Sequence, residues 1–288
     1  MRRPARVIAM SIMAAVCVAV GLAQQLPALR LYVFDGGVLE SDPTRYRLTP
    51  QEVKTTALSV AAFLVVHPRG TLMWDSGAIA DDSWTPTGAP VERRFMLSNG
   101  QPRTVTLRAS LKSQLATAGY TPERITYFAL SHYHWDHVAN ANQFAAATWL
   151  VRKVERDGMF PQPALEPPQP STYAALLASK TTIIDGDDYD VFGDGTVVIK
   201  KAAGHTPGHQ VLYVKLPRTG GVVITGDLYH YAEERSLKRL PTTEFDENAT
   251  RASRAAIEAF LTQTGAKLWI QHDLTGFGAL KKAPAYYD

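Results

Sequence analysis

Three histidines and an aspartate fall within six residues: His132, His134, Asp136 and His137, in the run HYHWDH. Imidazole and carboxylate are metal-ligating groups, and a short apolar segment, 125–130 (ITYFAL), leads straight into them. In an extended loop, residues two apart point the same way, so His132 and His134 can converge on one cation. Asp136 and His137 can reach a second where the chain turns. The helical HExxH zinc arrangement, with two His one turn apart and a Glu base, is absent from this run. A solvated, His-rich loop is the plain alternative. It fits poorly, because buriable polar groups next to an apolar strand are costly unless paired or metallated.

Three further segments suit the same site. Gly204-His205-Thr206-Pro207-Gly208-His209 follows the apolar-patterned stretch 197–201, and its Gly and Pro set a tight turn that presents His205. His209 reads as an orienting or packing group rather than a ligand, since ligating side chains need outer partners. Asp227 ends the apolar run 222–225, where an Asp is often only a turn cap; beside two histidine clusters it becomes a natural bridging carboxylate. His272 lies just past 267–270, a place where a lone His is usually structural, and in this company it is a ligand candidate.

Elements must carry these turns to one place. Strands are expected at 29–34, 58–66, 71–74, 125–130, 148–151, 181–184, 197–201, 211–216, 222–225 and 267–270. The second is almost wholly apolar and so buried on both faces, and with 71–74 it forms a hairpin across His67-Pro68-Arg69-Gly70. Leu107, Leu111 and Leu115 give a helix from 106 to 118, closed by Gly119. Further helices are expected at 172–179 and at 248–262, the latter with Ile257, Phe260 and Leu261 on one face. Residues 78–106 and 157–170 read as long loops. Strands outnumber helices, no internal repeat is evident, and no linker divides the chain, so one domain is expected over 24–288.

The first 23 residues stand apart. Arg2, Arg3 and Arg6 precede an apolar run, 7–20, and Gly21-Leu22-Ala23 offers small residues for a signal peptidase. The run is short of the roughly 20 residues a spanning helix needs. A cleaved secretory leader is expected, placing the protein in the periplasm or outside the cell without stable membrane insertion. Val16 precedes Cys17, which argues against lipidation. The chain has 30 Lys+Arg and 27 Asp+Glu, and the leader holds three Arg and no acid, so residues 24–288 are balanced. That balance gives no reason to expect nucleic acid or an anionic membrane as partner. The one cysteine lies in the leader, which leaves His and carboxylates to hold any metal.

Taken in order, HxHxDH, GHTPGH, the Asp of TGD and the His of QHD resemble the metallo-β-lactamase superfamily over most of 29–273. Asp75, in WDSG, resembles the superfamily's first motif, where the Asp supports the metal loops. The resemblance implies an α+β fold, an αββα sandwich of two packed mixed sheets with helices outside. It implies two divalent cations, zinc, cobalt, iron or manganese by ligand type. His132, His134 and His205 would hold the first, Asp136, His137 and His272 the second, and Asp227 would bridge. It further implies hydrolysis by a hydroxide shared between the cations, with Asp136 passing a proton to the leaving group.

Asp at 227 differs from the Cys or Ser usual in true β-lactamases, and His134 from the Glu of the diiron flavoproteins. The strand pair HPRG-TLMWDSG, the stretch DVFGDGT (190–196) and the QHD ending resemble the N-acyl-homoserine-lactone lactonase branch. A small-molecule lactone or ester substrate follows. Alternatives are a phosphotriesterase or other ester or thioester hydrolase, and a non-catalytic periplasmic metal-binding protein. The sequence leaves the oligomeric state open, a homodimer included. Similar lactonases carry a Tyr three residues after the bridging Asp; here that position is His230, flanked by Tyr229 and Tyr231, and His230 or a neighbouring Tyr would donate to the carbonyl oxygen. Trp84, Phe95, Met96, Trp135, Phe144 and Phe160 are candidates to line an acyl pocket.

Overall fold

The computed structural model describes residues 28–83, 89–96, 100, 102–161 and 171–288. The expected leader, 1–23, lies outside the described residues, and so does Trp84.

Two sheets form the body. The larger takes β1 (Arg30–Leu39), β2 (Leu58–His67), β3 (Gly70–Trp74), β4 (Val91–Met96) and β5 (Pro102–Leu107) from the first part of the chain. After helix α1 (Leu111–Thr117) come β6 (Tyr127–Ala129), α2 (Trp135–Val138), β7 (Thr148–Val151), α3 (Lys153–Met159) and β8 (Thr181–Ile183). The order is β4-β5-β1-β2-β3-β6-β7-β8. The hairpin part is antiparallel, and β3, β6, β7 and β8 run parallel. The smaller sheet is built from β9 (Asp188–Asp190), β10 (Val197–Lys201), β11 (Gln210–Leu216) and β12 (Gly220–Ile224). Helices α4 (Ala232–Leu237) and α5 (Glu247–Thr264) follow, then β13 (Lys267–Trp269), parallel to β12. After α6 (Leu274–Ala279) the chain returns to the first sheet, where β14 (Tyr286–Tyr287) pairs with the start of β1.

Period-two alternation decides the layers. In β2, Ala61, Phe63 and Val65 enter the core between the sheets, where they meet Ile199, Leu212, Val214 and Ile224 of the second sheet. Their neighbours Ala62, Leu64 and Val66 face outward and are covered by Leu111 and Leu115 of α1 and Met159 of α3. The outer face of the second sheet, Val211, Tyr213 and Val223, is covered by Ile257 and Leu261 of α5. The result is αββα. A strand without solvent-facing positions must be covered on both sides, which is why β2 is apolar from Val60 to Val66. Among the described residues no helix is long and apolar enough to cross a membrane.

Several local expectations change. Residues 78–106 are not all loop: β4 and β5 form a hairpin whose second strand pairs with the end of β1. Val105 and Leu107 are buried in β5, but the Glu and two Arg of β4 carry no alternation, so no strand period shows there. Leu107 is therefore strand, and α1 starts only at Leu111, where Ser110 Oγ accepts from the Ser113 N–H at 3.2 Å. Residues 171–178 form a 3-10 helix. The loop expected at 157–170 begins inside α3, and 162–170 lie outside the described residues. The short elements β9, α4, α6 and β14 are too brief to show a period.

Candidate metal centre

Each chemistry-bearing residue sits just past the carboxyl end of a strand. β6 runs into Ser131 and His132, β10 into His205, β12 into Asp227 and β13 into His272. β10, β12 and β13 run the same way in the smaller sheet and end on one edge, and β6 of the larger sheet ends beside them, so these turns meet. The first loop becomes helical at Trp135, with His134 as its N-cap residue, and that turn swings Asp136 and His137 away from His132 and His134.

Two clusters result. His132, His134, His205 and Asp227 offer ligand atoms all within 4.8 Å of one another, and so do Asp136, His137 and His272. Asp227 faces both. Its Oδ2 is 3.1 Å from His205 Nε2 and 3.5 Å from His132 Nε2. Its Oδ1 is 3.0 Å from His137 Nε2 and 2.9 Å from His272 Nε2. Asp136 Oδ2 completes the second group, 3.7 Å from His272 Nε2.

The outer hydrogen bonds set which nitrogen is free. His137 Nδ1–H donates to Asp75 Oδ2 at 2.9 Å, His272 Nδ1–H to the Ser59 carbonyl at 2.6 Å, and His205 Nδ1–H to Glu244 Oε1 at 3.1 Å. A carboxylate or carbonyl can only accept, so the proton is on Nδ1 and the Nε2 lone pair points inward. His209 differs. Its Nδ1–H donates to the Ala202 carbonyl and its Nε2 accepts the Asp227 N–H, both at 2.9 Å. Both nitrogens are used, so it orients the Asp227 turn, as its place in GHTPGH suggested.

These residues fit a pair of cations. Nε2 of His137 and His272 are 3.3 Å apart, and Nε2 of His205 is 2.9 Å from Nδ1 of His134. Ligand bonds of about 2.0–2.1 Å in a tetrahedron put neighbouring nitrogens roughly 3.3 Å apart. His132 Nε2 and Asp227 Oδ1 are buried without a hydrogen-bond partner. Although Asp227 Oδ1 lies at ion-pair distance from two imidazoles, the geometry is not that of a hydrogen bond, as is expected of an atom aimed at a cation. Burial pushes His132 and His134 well below the ordinary imidazole pKa, leaving them neutral, the state a ligand needs. Burial works against ionised Asp227, yet His272, His132 and His137 hold it well below the usual carboxylate range.

A family model described as the metallo-beta-lactamase superfamily matches residues 55–272. This chain is a member of the metallo-beta-lactamase superfamily. It is similar in sequence to N-acyl homoserine lactonase AttM of Azorhizobium caulinodans, 26% identical over 281 residues that cover 90% of this chain and 99% of that one. N-acyl homoserine lactonase AiiA of Bacillus thuringiensis subsp. kurstaki is 24% identical over 262 residues, 89% of this chain and 98% of the relative. The fold is shared with a solved N-acyl homoserine lactone hydrolase holding N-hexanoyl-L-homoserine at its catalytic metal center, with TM-score 0.73, 22% identity and 89% and 98% coverage. It is shared too with AidC, a dizinc quorum-quenching lactonase, at TM-score 0.63, 20% identity and 92% and 95% coverage.

In this metallo-beta-lactamase superfamily member the three candidate donors after Asp227 part company. His230 lines the ligand pocket, with Nε2 3.1 Å from Asp227 Oδ2. Its backbone N–H donates to Glu234 Oε1 at 3.0 Å; Nδ1, 3.3 Å from the same oxygen, lacks hydrogen-bond geometry. Tyr229 goes elsewhere. The chain is extended at this position, so successive side chains point opposite ways, and the Tyr229 hydroxyl donates to Glu258 of α5 at 3.0 Å. It lines a separate cavity of about 970 Å³ between α4, α5 and α6, which none of the seven candidate ligands borders. The Tyr231 hydroxyl donates to the Thr56 carbonyl at 2.8 Å. Of the aromatic pocket candidates, Trp135 lines the site. Phe144 stacks on Phe128 in the outer core, Phe160 packs on Trp149 and Tyr173, and Met96 is solvent-exposed. The side chain of Phe95 lies outside the described residues.

Two residues carry parts of the site that the motifs do not announce. Glu155, buried in α3, accepts the Tyr133 N–H at 2.9 Å from the first histidine loop. From the GHTPGH loop it accepts the Thr206 hydroxyl and the Gly208 N–H, both at 2.8 Å. Tyr46 packs its ring 4.5 Å from that of His230. Nothing in their spacing marks either one; an acid in the first turn of a short helix is ordinarily a solvated group.

Proposed function

We propose that this protein is a dinuclear metal-dependent lactonase that opens the ring of N-acyl homoserine lactones, with zinc as the metal. The observation that carries the proposal is the position of Asp227, one oxygen toward each ligand cluster. The relatives named as N-acyl homoserine lactonases, aligned over about 90% of this chain, support the substrate class.

His132, His134 and His205 would hold one cation and Asp136, His137 and His272 the other, with Asp227 between them. A bound pair supplies Lewis acidity for an ester carbonyl and brings a water into ionisation near neutral pH. The chain's own groups do the rest. His230 faces the pocket from beside Asp227, placed to donate from Nε2 to the carbonyl oxygen as charge builds there. Asp136, in the first turn of α2, lines the same pocket and is placed to carry a proton to the leaving ring oxygen. Leu39, Leu58 and Trp135 supply apolar wall that limits water at the reacting bond. The cavity beside the ligands is about 80 Å³. Whole-ligand pockets run about 300–1,000 Å³, so this cavity suits the ring, with the acyl chain leaving over the rim.

The test is metal analysis of the purified protein together with rates on a panel of N-acyl homoserine lactones and a paraoxon-like ester. Two metals per chain, ring opening far faster than phosphotriester cleavage, and loss of ring opening in His134→Ala are expected. Metal-loaded protein that leaves every chain length intact would show the substrate class to be wrong. Residues 1–23 support export to the periplasm or beyond, and cell fractionation with N-terminal sequencing of the exported form tests that.

A further inference from the structure

One guanidinium nitrogen at the pocket has no hydrogen-bond partner among the described residues. Arg45 belongs to the 3-10 helix Pro43–Tyr46 that follows β1, and it lines the cavity that holds the metal ligands and His230. Its backbone is held on both sides: its N–H donates to the Asp42 carbonyl at 3.2 Å, and its carbonyl accepts the Thr242 N–H at 2.7 Å. Asp42 accepts the Thr44 N–H at 3.0 Å, which fixes the turn. Nη1 of Arg45 is buried with no hydrogen-bond partner. Arg103 lines the same cavity, and its pKa is lowered by burial and then by the neighbouring Arg45 charge, so two guanidiniums lie close together at this wall.

A buried guanidinium donor without an acceptor is unfavourable unless something supplies one, and the fork geometry of Arg suits a carbonyl or carboxylate oxygen. The acids of this pocket, Asp136 and Asp227, face the imidazole clusters. Among the described residues no acceptor reaches Arg45 Nη1, which leaves that donor for a ligand oxygen. The reacting ester is already served from the other walls by Asp136, Asp227 and His230, whereas Arg45 arrives from the segment after β1.

We propose that Arg45 is a specificity-determining residue that donates to an acceptor oxygen on the substrate outside the reacting ring, the amide carbonyl in an N-acylated lactone. This rests on the lactonase proposal. Arg45 then sets a preference for acyl-amide lactones over lactones bearing a plain alkyl chain of equal length.

The experiment measures kcat/KM of the metal-loaded full-length enzyme for an N-acyl homoserine lactone and for the matching alkyl γ-lactone. Wild type, Arg45→Gln and Arg45→Lys are compared. The ratio of the two kcat/KM values is expected to fall about tenfold to a hundredfold in Arg45→Gln, chiefly through KM for the amide substrate, as for loss of a charge-assisted hydrogen bond. Arg45→Lys should fall less, since an ammonium keeps the charge but loses the fork. Calorimetric titration with the ring-opened N-acyl product should show the same order of affinities. An unchanged ratio in whichever variant folds, or equal loss on both lactones, overturns the role of Arg45. If the loaded wild type opens neither lactone, the lactonase proposal fails and this one with it.

Discussion

Asp75 Oδ2 accepts the Nδ1–H of His137 at 2.9 Å, and Asp75 stands in the left-handed backbone region at φ +57°. A non-glycine residue rarely stays there without surrounding restraint. The restraint is visible. Asp75 Oδ1 accepts the Ser131 N–H at 2.6 Å, and Oδ2 also takes the Gln271 amide at 2.6 Å and the Ser131 hydroxyl at 2.9 Å. One buried carboxylate thus ties the turn after β3 to the first histidine loop and to the strand end that presents His272.

Asp75→Asn keeps the size and removes the acceptor that fixes the His137 tautomer. Metal affinity should fall roughly 10–100-fold, the usual cost of losing an outer partner of a ligand. Competition with a chromophoric chelator measures it, and unchanged affinity would contradict the coupling.

Glu155 should be visible in stability against pH. Burial raises its pKa to about 7, against the hydrogen bonds from Thr206, Gly208 and Tyr133. A raised acid binds more protons folded than unfolded. Its stabilisation is therefore complete below the ordinary value of 4.5 and is lost as pH rises through about 7. The stability of wild type relative to Glu155→Gln should drop between these limits by up to roughly 1.4 kcal/mol per pH unit. Denaturant unfolding of both proteins across that range checks the sign.

His230→Ala should lower kcat on the lactone roughly 10²–10³-fold with little change in KM, the pattern of a donor that acts on developing charge. His230→Tyr should recover part of the loss. A rise in KM alone would make His230 a binding group instead.

Gly226→Ala should destabilise the fold by roughly 2–4 kcal/mol. Gly226 has φ +51°, and an added Cβ would lie 2.6 Å from Ser131 Cβ and 2.7 Å from His209 Nε2. The clash would displace the His209 contact that positions Asp227, so metal content should fall along with the urea midpoint.

Chelation should lower the melting temperature reversibly. Without cations, Nε2 of His137 and Nε2 of His272 stand 3.3 Å apart with no ion to join them. Ligands that bind only the native state stabilise by about 2.7 kcal/mol at a hundred times Kd. A melting temperature indifferent to chelator and to added zinc would argue against a native metal pair.

The sequence by itself determined the ligands' types and the strands that precede them, because both are local. An apolar run followed at once by HxHxDH shows in any window that contains it, and the αββα layering follows from strands such as β2 that leave no face for water. What only the tertiary structure decided is relational. Residues 205, 227 and 272 meet because β10, β12 and β13 end on one edge of the smaller sheet, and residue 132 joins them because the packing of the two sheets sets the end of β6 beside that edge. That His230 and not Tyr229 lines the ligand pocket turned on which side of an extended segment faces the candidate ligands. Glu155 and Arg45 carry no motif; the first shows only through partners far away in the chain, and the second through one nitrogen with no hydrogen bond among the described residues. Such long-range pairings have no period and no fixed spacing, so they become legible only once the chain is folded.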